Sequence, residues 1–224
     1  MSAIRLFSAP LSMFAMKAQI AALEKALTVE IVVVPFTDDH CYIPKHPDVV
    51  RINPKHQVPV LIHGDLEIFD STQIFEYLED LAPEPPLWPR DVGQRARARL
   101  LEHKSDEVFF PHVIRLMSLQ GALEGEAAMA ARRAALAYYA QMDSLLSTRA
   151  WLVGDYSFAD IAFFMAQVFA ERLGAPMTTH SPRLMLWRDQ MTARPAVMQV
   201  MGPLKRYLAD HGRPIPAFLE ACRH

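Results

Sequence analysis

The sequence has few cysteines, no long apolar run and no excess of charge of one sign. Its two cysteines, Cys41 and Cys222, form no CxxC pair, which argues against a zinc knuckle or a thioredoxin-type redox pair. No stretch of about 18 apolar residues could span a membrane, so we expect no membrane partner. The first residues lack the basic and apolar regions of a signal peptide, and two free thiols suit a reducing compartment. We therefore expect a cytoplasmic protein.

The charges are balanced and the histidines are scattered. The chain has 23 Lys and Arg against 25 Asp and Glu, a net charge of −2, and no block of like charge indicates a nucleic-acid partner. The 9 histidines show no HExxH or other paired ligand spacing, so we expect no metal site. Hydrophobic residues make up 51% of the chain, enough for a packed core, and 224 residues suit two domains of unequal size.

The first third of the chain predicts short strands that alternate with helices. Ile4–Phe7 and the β-branched run Val29–Phe36 are predicted strands, and residues 16–27 between them have apolar positions at helical spacing. This strand–helix–strand order predicts a parallel pair. Residues 37–56 are predicted to be irregular, with Pro44, Pro47 and Pro54 as breakers. Two short strands then flank Gly64–Asp65, which suits a tight hairpin turn. An amphipathic helix then completes the order βαβ-ββα.

A proline-rich segment separates this part from a helical remainder. Residues 83–89, PEPPLWP, contain four prolines, which disfavours helix and sheet and indicates a stiff linker at a domain boundary. Helical patterns follow at 95–119 (bent at Pro111), 127–146, 157–173, 184–191 and 196–210. Ser157 and Asp160 form an S-x-x-D capping box, in which either residue should contribute about 1 kcal/mol. The predicted fold class is α/β plus all-α, with domains at 1–82 and 90–224.

Four motifs narrow the choice of fold. They are, in chain order, NPKHQVPVL (Asn53–Leu61), FDSTQIFEYLED (Phe69–Asp80), GDYSFADIAFF (Gly154–Phe164) and LMLWRDQMTARPAV (Leu184–Val197). Together they resemble the signature segments of cytosolic glutathione S-transferases of a serine-type, bacterial-like kind, and the resemblance covers nearly the whole chain. It implies an N-terminal thioredoxin-like domain that binds glutathione, a C-terminal all-helical bundle, an electrophile pocket between them, and a homodimer.

The resemblance places the catalytic hydroxyl at Ser12, eight residues before Ile20. A free thiol has a pKa near ~8.5, so little of it is thiolate at neutral pH. A hydrogen bond from Ser12 to the glutathione sulfur, together with the field of a helix N-terminus, would favour the thiolate, which then attacks an electrophilic carbon. The alternative role for Ser12 is a helix cap, and Ser8 is a second candidate donor. Relatives more often have proline and arginine where this sequence has Met13 and Lys17.

The resemblance also implies how glutathione itself would be held. Val58–Pro59 matches the family's cis-proline position, which would turn the Val58 backbone toward the cysteinyl unit. Asp70 and Ser71 match the acidic residue–serine pair that holds the γ-glutamyl end. Asp70 would accept from the ammonium, while Ser71 and the start of the following helix would donate to the carboxylate. The same two residues also suit a helix N-cap.

The remaining parts of the site are less specified. Lys45 and Gln57 match positions that would face the glycine end of glutathione, although each could instead be an exposed loop residue. The residues that match the lining of the electrophile pocket in relatives are Phe14, Phe110, His112 and Met117. Aromatic and methionine side chains more often belong to a core, and methionine would let such a pocket adapt to varied ligands.

Three functions stay open on the sequence. The leading one is conjugation of glutathione to hydrophobic electrophiles, as in detoxification. The second keeps the same thiolate but uses it for isomerisation, dehalogenation or peroxide reduction. The third is a non-catalytic, transferase-like module that binds ligands or protein partners. The matches at Val58, Pro59, Asp70 and Ser71 favour a glutathione-binding protein over the third.

Overall fold

The structure is a computed structural model that describes residues 3–36, 42–43 and 45–221. Cys41, Cys222 and the predicted breaker Pro44 lie outside the described residues. Over the described ranges, the chain forms a small mixed sheet with helices, followed by a bundle of helices. The predicted combination of α/β and all-α structure is therefore confirmed. None of the helices in these ranges combines the length and the apolar character needed to cross a bilayer.

The strands lie in the order β2-β1-β3-β4. Their bounds are Ile4–Ser8 (β1), Val29–Val33 (β2), Val60–His63 (β3) and Leu66–Phe69 (β4). β1 is parallel to β2 and antiparallel to β3, and β3 is antiparallel to β4. The parallel pair and the hairpin are as predicted, and the φ of 65° at Gly64 is one that glycine adopts readily in a turn. β2 is three residues shorter than predicted, because Pro35 cannot donate to a strand ladder.

Three helices accompany the sheet, and two of them differ from the prediction. They are α1 (Met13–Glu24), α2 (Pro47–Ile52) and α3 (Ser71–Leu81). α1 begins three residues earlier than predicted because Ser12 caps it. The stretch 37–56, predicted to be irregular, contains α2. Pro47 stands in its first turn, where a missing N–H breaks no helical hydrogen bond.

The rest of the described chain is helical. Its helices are α4 (Val92–Lys104), α5 (Phe110–Ser118), α6 (Glu126–Leu145), α7 (Phe158–Arg172), α8 (Pro182–Thr192), α9 (Pro195–Asp210) and α10 (Ala217–Ala221). A π-helical turn, Ser105–Phe109, joins α4 to α5, immediately before the predicted bend at Pro111. Because proline has no N–H and its ring collides with the carbonyl four residues earlier, a wider turn accommodates it.

The sheet region and the helical region pack tightly on each other through α1. Helix α7 is the centre of the bundle, since every residue from Phe158 to Ala170 is buried, and α1 packs against both α7 and α9. At the far end of α1, the Arg194 guanidinium donates two hydrogen bonds of 2.7 Å to the Glu24 carboxylate. The position of α1 relative to the bundle is thereby fixed at its C-terminal end.

The Pro-rich linker is held by two charged side chains. The carboxylate of Glu79 accepts the backbone N–H groups of Leu87 (3.1 Å) and Trp88 (3.2 Å). It also pairs with the ammonium of Lys25, which donates to the Pro85 carbonyl at 2.8 Å. These contacts satisfy polar groups that neither helix nor sheet could satisfy in this segment.

The Asp160 carboxylate organises the start of α7 more extensively than a capping box requires. It accepts the backbone N–H and the hydroxyl of Ser157 (3.0 and 3.1 Å), the N–H of Leu152 (3.0 Å) and the indole N–H of Trp187 (2.9 Å). Burial raises the pKa of Asp160 to about 6, against the opposing effect of these donors. The carboxylate therefore joins three segments of the helical region.

We predict that Asp160→Ala lowers the free energy of unfolding by about 3 kcal/mol, because it leaves several buried donors without an acceptor. Ser157→Ala should cost about 1 kcal/mol. The matched control is Asp91→Ala, which removes an exposed cap whose carboxylate accepts the Gln94 N–H at 2.8 Å and should also cost about 1 kcal/mol. Urea denaturation measures all three; equal losses for Asp160→Ala and Asp91→Ala would contradict the prediction.

Candidate functional site

Two cavities of different character meet between the sheet region and the helical region. The first has a volume of about 280 Å³ and a largely apolar lining. The second, of about 350 Å³, has a largely polar lining. Phe14, Gln57 and Val58 line both. We call them the apolar cavity and the polar cavity.

The predicted cis-proline lies at the junction of the two cavities. The Val58–Pro59 peptide bond is cis, as expected, and Pro59 lines the polar cavity. The preceding loop is held by Asn53, whose side-chain amide donates to the Gln57 carbonyl at 2.6 Å. The backbone at Val58 therefore has a fixed position between the cavities.

Asp70 and Ser71 both line the polar cavity, at the start of α3. Asp70 is the N-cap: its Oδ1 accepts the N–H groups of Thr72 (2.9 Å) and Gln73 (3.4 Å). Its φ of 74° is uncommon for a residue with a Cβ, and such conformations concentrate at functional sites. Because the cap occupies Oδ1, Oδ2 can serve a ligand. The expected cap is thus present, and a glutathione contact stays a prediction.

Of the two candidate hydroxyls, Ser12 is the one that lines the apolar cavity. Its Oγ accepts the Ala15 N–H at 3.3 Å as the N-cap of α1, so the hydroxyl proton can still be donated to a ligand. Ser8 is buried, accepts a hydrogen bond from the Gln19 amide at 2.5 Å and lines a different cavity, beside Tyr207. The geometry therefore favours Ser12 over Ser8 as a donor in the site.

The residues predicted for the glycine end both line the apolar cavity. Lys45 is exposed, and its ammonium donates to the His56 carbonyl at 3.1 Å. Gln57, His46 and His56 also belong to the lining. The otherwise largely apolar lining therefore includes donors suited to a carboxylate.

Of the four residues predicted for the electrophile pocket, three line the apolar cavity. Phe14 and Phe110 line the apolar cavity and form an edge-to-face pair with centroids 5.3 Å apart, and Met117 lines it as well. His112, in contrast, is not among the described residues that line it. A helix turns by about 100° per residue, so His112 projects about 200° away from Phe110.

Several residues of the apolar cavity were not among those predicted from the sequence. They are Leu11, Val34, Tyr42, Val49, Val113, Ile114, Phe169 and Leu173. Val113 and Ile114 follow Phe110 by three and four positions and precede Met117 on the same helix face, so helical periodicity applied to α5 would have found them. Phe169 on α7 and Leu173, the residue that follows α7, have the sequence pattern of core residues, and only tertiary packing brings them to the cavity.

The sequence analysis also did not predict a buried cluster of charged side chains that adjoins the polar cavity. The Lys17 ammonium, 0% exposed, lies 2.9 Å from Glu102 Oε1 and 2.5 Å from Asp106 Oδ2. Burial lowers the pKa of Lys17, but the charges of Asp106 and Glu102 outweigh burial and raise it. The Thr72 hydroxyl donates to Glu102 Oε1 at 2.8 Å. A lysine within MFAMKAQIAA of α1, where Gln19 is the only other polar residue, was the available signal.

Asp106 differs from its neighbours because it reaches the polar cavity. Its side chain is 9% exposed, and its Oδ1 is buried without a hydrogen-bond partner among the described residues. Burial raises the pKa of Asp106 to about 6, with Lys17 opposing and Glu102 reinforcing the effect. Within the described ranges, no group of three or more His, Cys, Asp and Glu side chains is arranged to hold a metal ion.

Two family models match the chain in sequence order. The model "Glutathione S-transferase, N-terminal domain" matches residues 6–86, and "Glutathione S-transferase, C-terminal domain" matches residues 104–195. The first match contains most of the sheet, Ser12 and the start of α3, and the second contains the π-helical turn and the Asp160 motif. The two models together therefore cover the lining of both cavities except His103.

Two of the curated relatives match over about half of the chain or less. A stringent starvation protein A homolog from Coxiella burnetii is 34% identical over 111 residues, 49% of each chain. Glutathione S-transferase 1 from Dianthus caryophyllus is 40% identical over 94 residues, which cover 42% of this chain and 41% of the relative. The chain thus matches about half, or less, of the length of these relatives.

The fold extends the similarity over almost the whole chain. The crystal structure of a glutathione S-transferase from Rhodospirillum rubrum F11 superimposes with a TM-score of 0.76 at 27% identity, and the match covers 88% of this chain and 91% of the other. With two family models matched in order and the same architecture in a solved relative, the chain belongs to the cytosolic glutathione S-transferase family.

Proposed function

We propose that this protein binds glutathione, ionises its thiol and transfers it to a hydrophobic electrophile. The observation that carries the proposal is the junction of two unlike cavities at Val58, with the Ser12 hydroxyl on the apolar side. A polar cavity suits the charged γ-glutamyl end of the tripeptide, and an apolar cavity suits an uncharged electrophile. Family membership and the relatives named as glutathione S-transferases support the same activity.

In this proposal, glutathione lies across the junction with one group at each end. Asp70 accepts from the γ-glutamyl ammonium, and Ser71 with the first N–H groups of α3 donates to its carboxylate. The backbone of Val58 pairs with the cysteinyl unit as an added strand would. Lys45 and Gln57 donate to the glycine carboxylate. The sulfur then lies near the start of α1, where Ser12 caps the helix.

The chemistry would depend on the charge of the sulfur. Ser12 donates its hydroxyl proton in a hydrogen bond to the sulfur, which favours the thiolate over the thiol, and the N-terminus of α1 adds a partial positive field. The thiol proton passes to solvent. The thiolate electron pair forms a new sulfur–carbon bond while the leaving group departs with the electrons of the broken bond. Phe14 and Phe110 would hold the electrophile by apolar contact.

We further propose a homodimer that acts in the cytoplasm in detoxification. Support for association comes from apolar side chains left exposed near the sheet edge and on α4. Phe69 lies at the end of edge strand β4, while Val92 is 78% and Leu100 57% exposed. Exposed apolar side chains of this kind are typical of association surfaces.

A non-catalytic binding module is the second candidate. One observation favours it: a relative matched over half of the chain is named a stringent starvation protein A homolog rather than a transferase. Such a module would need neither a free donor in the apolar cavity nor a filled polar cavity. The two candidates therefore differ in whether glutathione binds.

We predict that glutathione binds with a dissociation constant in the micromolar-to-millimolar range. Isothermal titration calorimetry measures it, and a rise in melting temperature should accompany binding. Mass spectrometry of products then separates conjugation from isomerisation or peroxide reduction. An absence of both heat and thermal shift would favour the non-catalytic module.

We predict that Ser12→Ala raises the thiol pKa of bound glutathione by about 1, which corresponds to about 1.4 kcal/mol, with little change in affinity. The thiolate absorbance of the complex, followed against pH, measures this value. Ser8→Ala is the matched control and should leave the thiol pKa unchanged. If conjugation of an aryl halide survives Ser12→Ala untouched, another group is the donor.

A further inference from the structure

Three consecutive backbone carbonyls just beyond α7 each accept a hydrogen bond from a side chain of another segment. The donor–acceptor pairs are Gln120 Nε2 to Leu173 O (3.1 Å), Arg132 Nε to Gly174 O (2.7 Å) and Tyr139 Oη to Ala175 O (2.8 Å). We call the three donor side chains the α7 clamp. Two of them belong to α6, and the third follows α5, so the clamp ties the end of α7 to both neighbouring helices.

The clamp holds a turn whose own backbone already ends the helix. The Ala175 N–H donates to the Ala170 carbonyl at 2.8 Å, and Gly174 has a φ of 106°. This is the Schellman pattern, in which a glycine in the left-handed region closes the last helical turn. The clamp is therefore not needed to end α7. Its hydrogen bonds instead determine where the end of α7 lies relative to α5 and α6.

The position of this turn determines part of the wall of the apolar cavity. Leu173, the first residue held by the clamp, lines that cavity, as does Phe169 one turn earlier. The Gln120 amide nitrogen that donates to the Leu173 carbonyl also donates to the Leu116 carbonyl of α5 at 3.0 Å. Because α5 supplies the facing residue Met117, this amide bridges the two helices between which the cavity lies.

Arg132 reinforces the bridge with a charged donor. Its side chain is half-buried, and its guanidinium lies at the C-terminal end of α7, where the helix dipole favours a positive charge. The next residue, Arg133, is exposed to solvent. Two successive arginines of α6 therefore form a matched pair, of which Arg132 is the one that holds the end of α7.

We propose that Arg132 and Gln120 are positioning residues for the electrophile: they hold Leu173 at the apolar cavity and thereby determine how tightly the cavity binds the substituent on the glutathione sulfur. This inference rests on the proposed function and deepens it, since it assigns the selectivity of the apolar cavity to side chains outside its lining. It requires a selective effect. Loss of the clamp weakens contact with an apolar substituent and leaves the binding of the tripeptide itself unchanged.

The first test compares the affinities of glutathione and S-hexylglutathione, which differ only in an apolar chain on the sulfur. Wild-type protein should prefer S-hexylglutathione, since each buried methylene contributes about 4-fold. Arg132→Met should reduce this preference by at least about 4-fold, the equivalent of one methylene, while the affinity for glutathione changes by less than about 2-fold. An unchanged preference in Arg132→Met would overturn the role of Arg132.

Three further variants control this comparison. Arg133→Met, which removes the exposed neighbouring charge, should leave both affinities unchanged. Arg132→Lys keeps a cationic donor for the helix end and should retain most of the preference. Gln120→Met removes the bridge between α5 and α7 and should reduce the preference. It changes an exposed side chain, so it replaces Arg132→Met if that variant does not fold.

The second test asks whether Arg132 acts through Leu173. Leu173→Ala removes the wall side chain directly and should also reduce the preference for S-hexylglutathione. If Arg132 only positions Leu173, the double variant should lose no more than Leu173→Ala alone, because the side chain to be positioned is absent. Losses that multiply in the double variant would overturn the positioning role, as would a parallel loss of affinity for glutathione.

The outcomes separate this inference from the function on which it rests. If wild-type protein binds neither ligand, both the proposed function and this inference fail. If it binds glutathione but gains no affinity from the hexyl chain, the apolar cavity is not the electrophile site and both fail again. If wild-type protein prefers S-hexylglutathione and both Arg132→Met and Gln120→Met keep the full preference, only the inference fails.

Discussion

The ion pairs of Lys17 fix the arrangement on which both cavities depend. An ammonium without water contact is stable only while its carboxylate partners remain in place, and removal of one partner of a buried pair costs about 3–5 kcal/mol. Lys17 belongs to α1, and its partners Glu102 and Asp106 belong to α4 and the π-helical turn. The pairs therefore set the distance between the start of α1 and the helical wall. Phe14, whose ring lies 5.5 Å from the Lys17 ammonium, lines both cavities.

The elements of the fold were predictable where a local pattern determines them. The β-branched run of β2, the Gly64 turn and the proline-rich linker each carry a signal within a few residues. Helix α2 was missed because three nearby prolines suggested breaks, whereas Pro47 in a first turn is compatible with a helix. The π-helical turn has no such sequence signal. It arises where Pro111 and the partners of Lys17 constrain the same few residues.

The residues of the candidate site also divide into those that a local sequence pattern predicts and those that only tertiary packing brings together. Val58, Pro59, Asp70 and Ser71 stand in two contiguous motifs, so their common location at the polar cavity followed from the sequence. Asp106 was not predictable, because it reaches that cavity only through packing between residues 89 positions apart in sequence, Lys17 and Asp106. His112 does not line the apolar cavity for a simpler reason, since proximity in sequence to Phe110 does not place two side chains on one helix face.

Two helix starts supply the polar groups of the two cavities, and their caps explain how. Ser12 caps α1 with an oxygen lone pair, which leaves its proton free for an electron-rich atom such as sulfur. Asp70 caps α3 with one carboxylate oxygen, which leaves the other free for a cation. Capping fixes each side chain without using the part that a ligand needs. Stabilising the helix start and binding a ligand would therefore use different atoms of these two residues. The carboxylate whose charge remains unbalanced is that of Asp106, which belongs to the helical region.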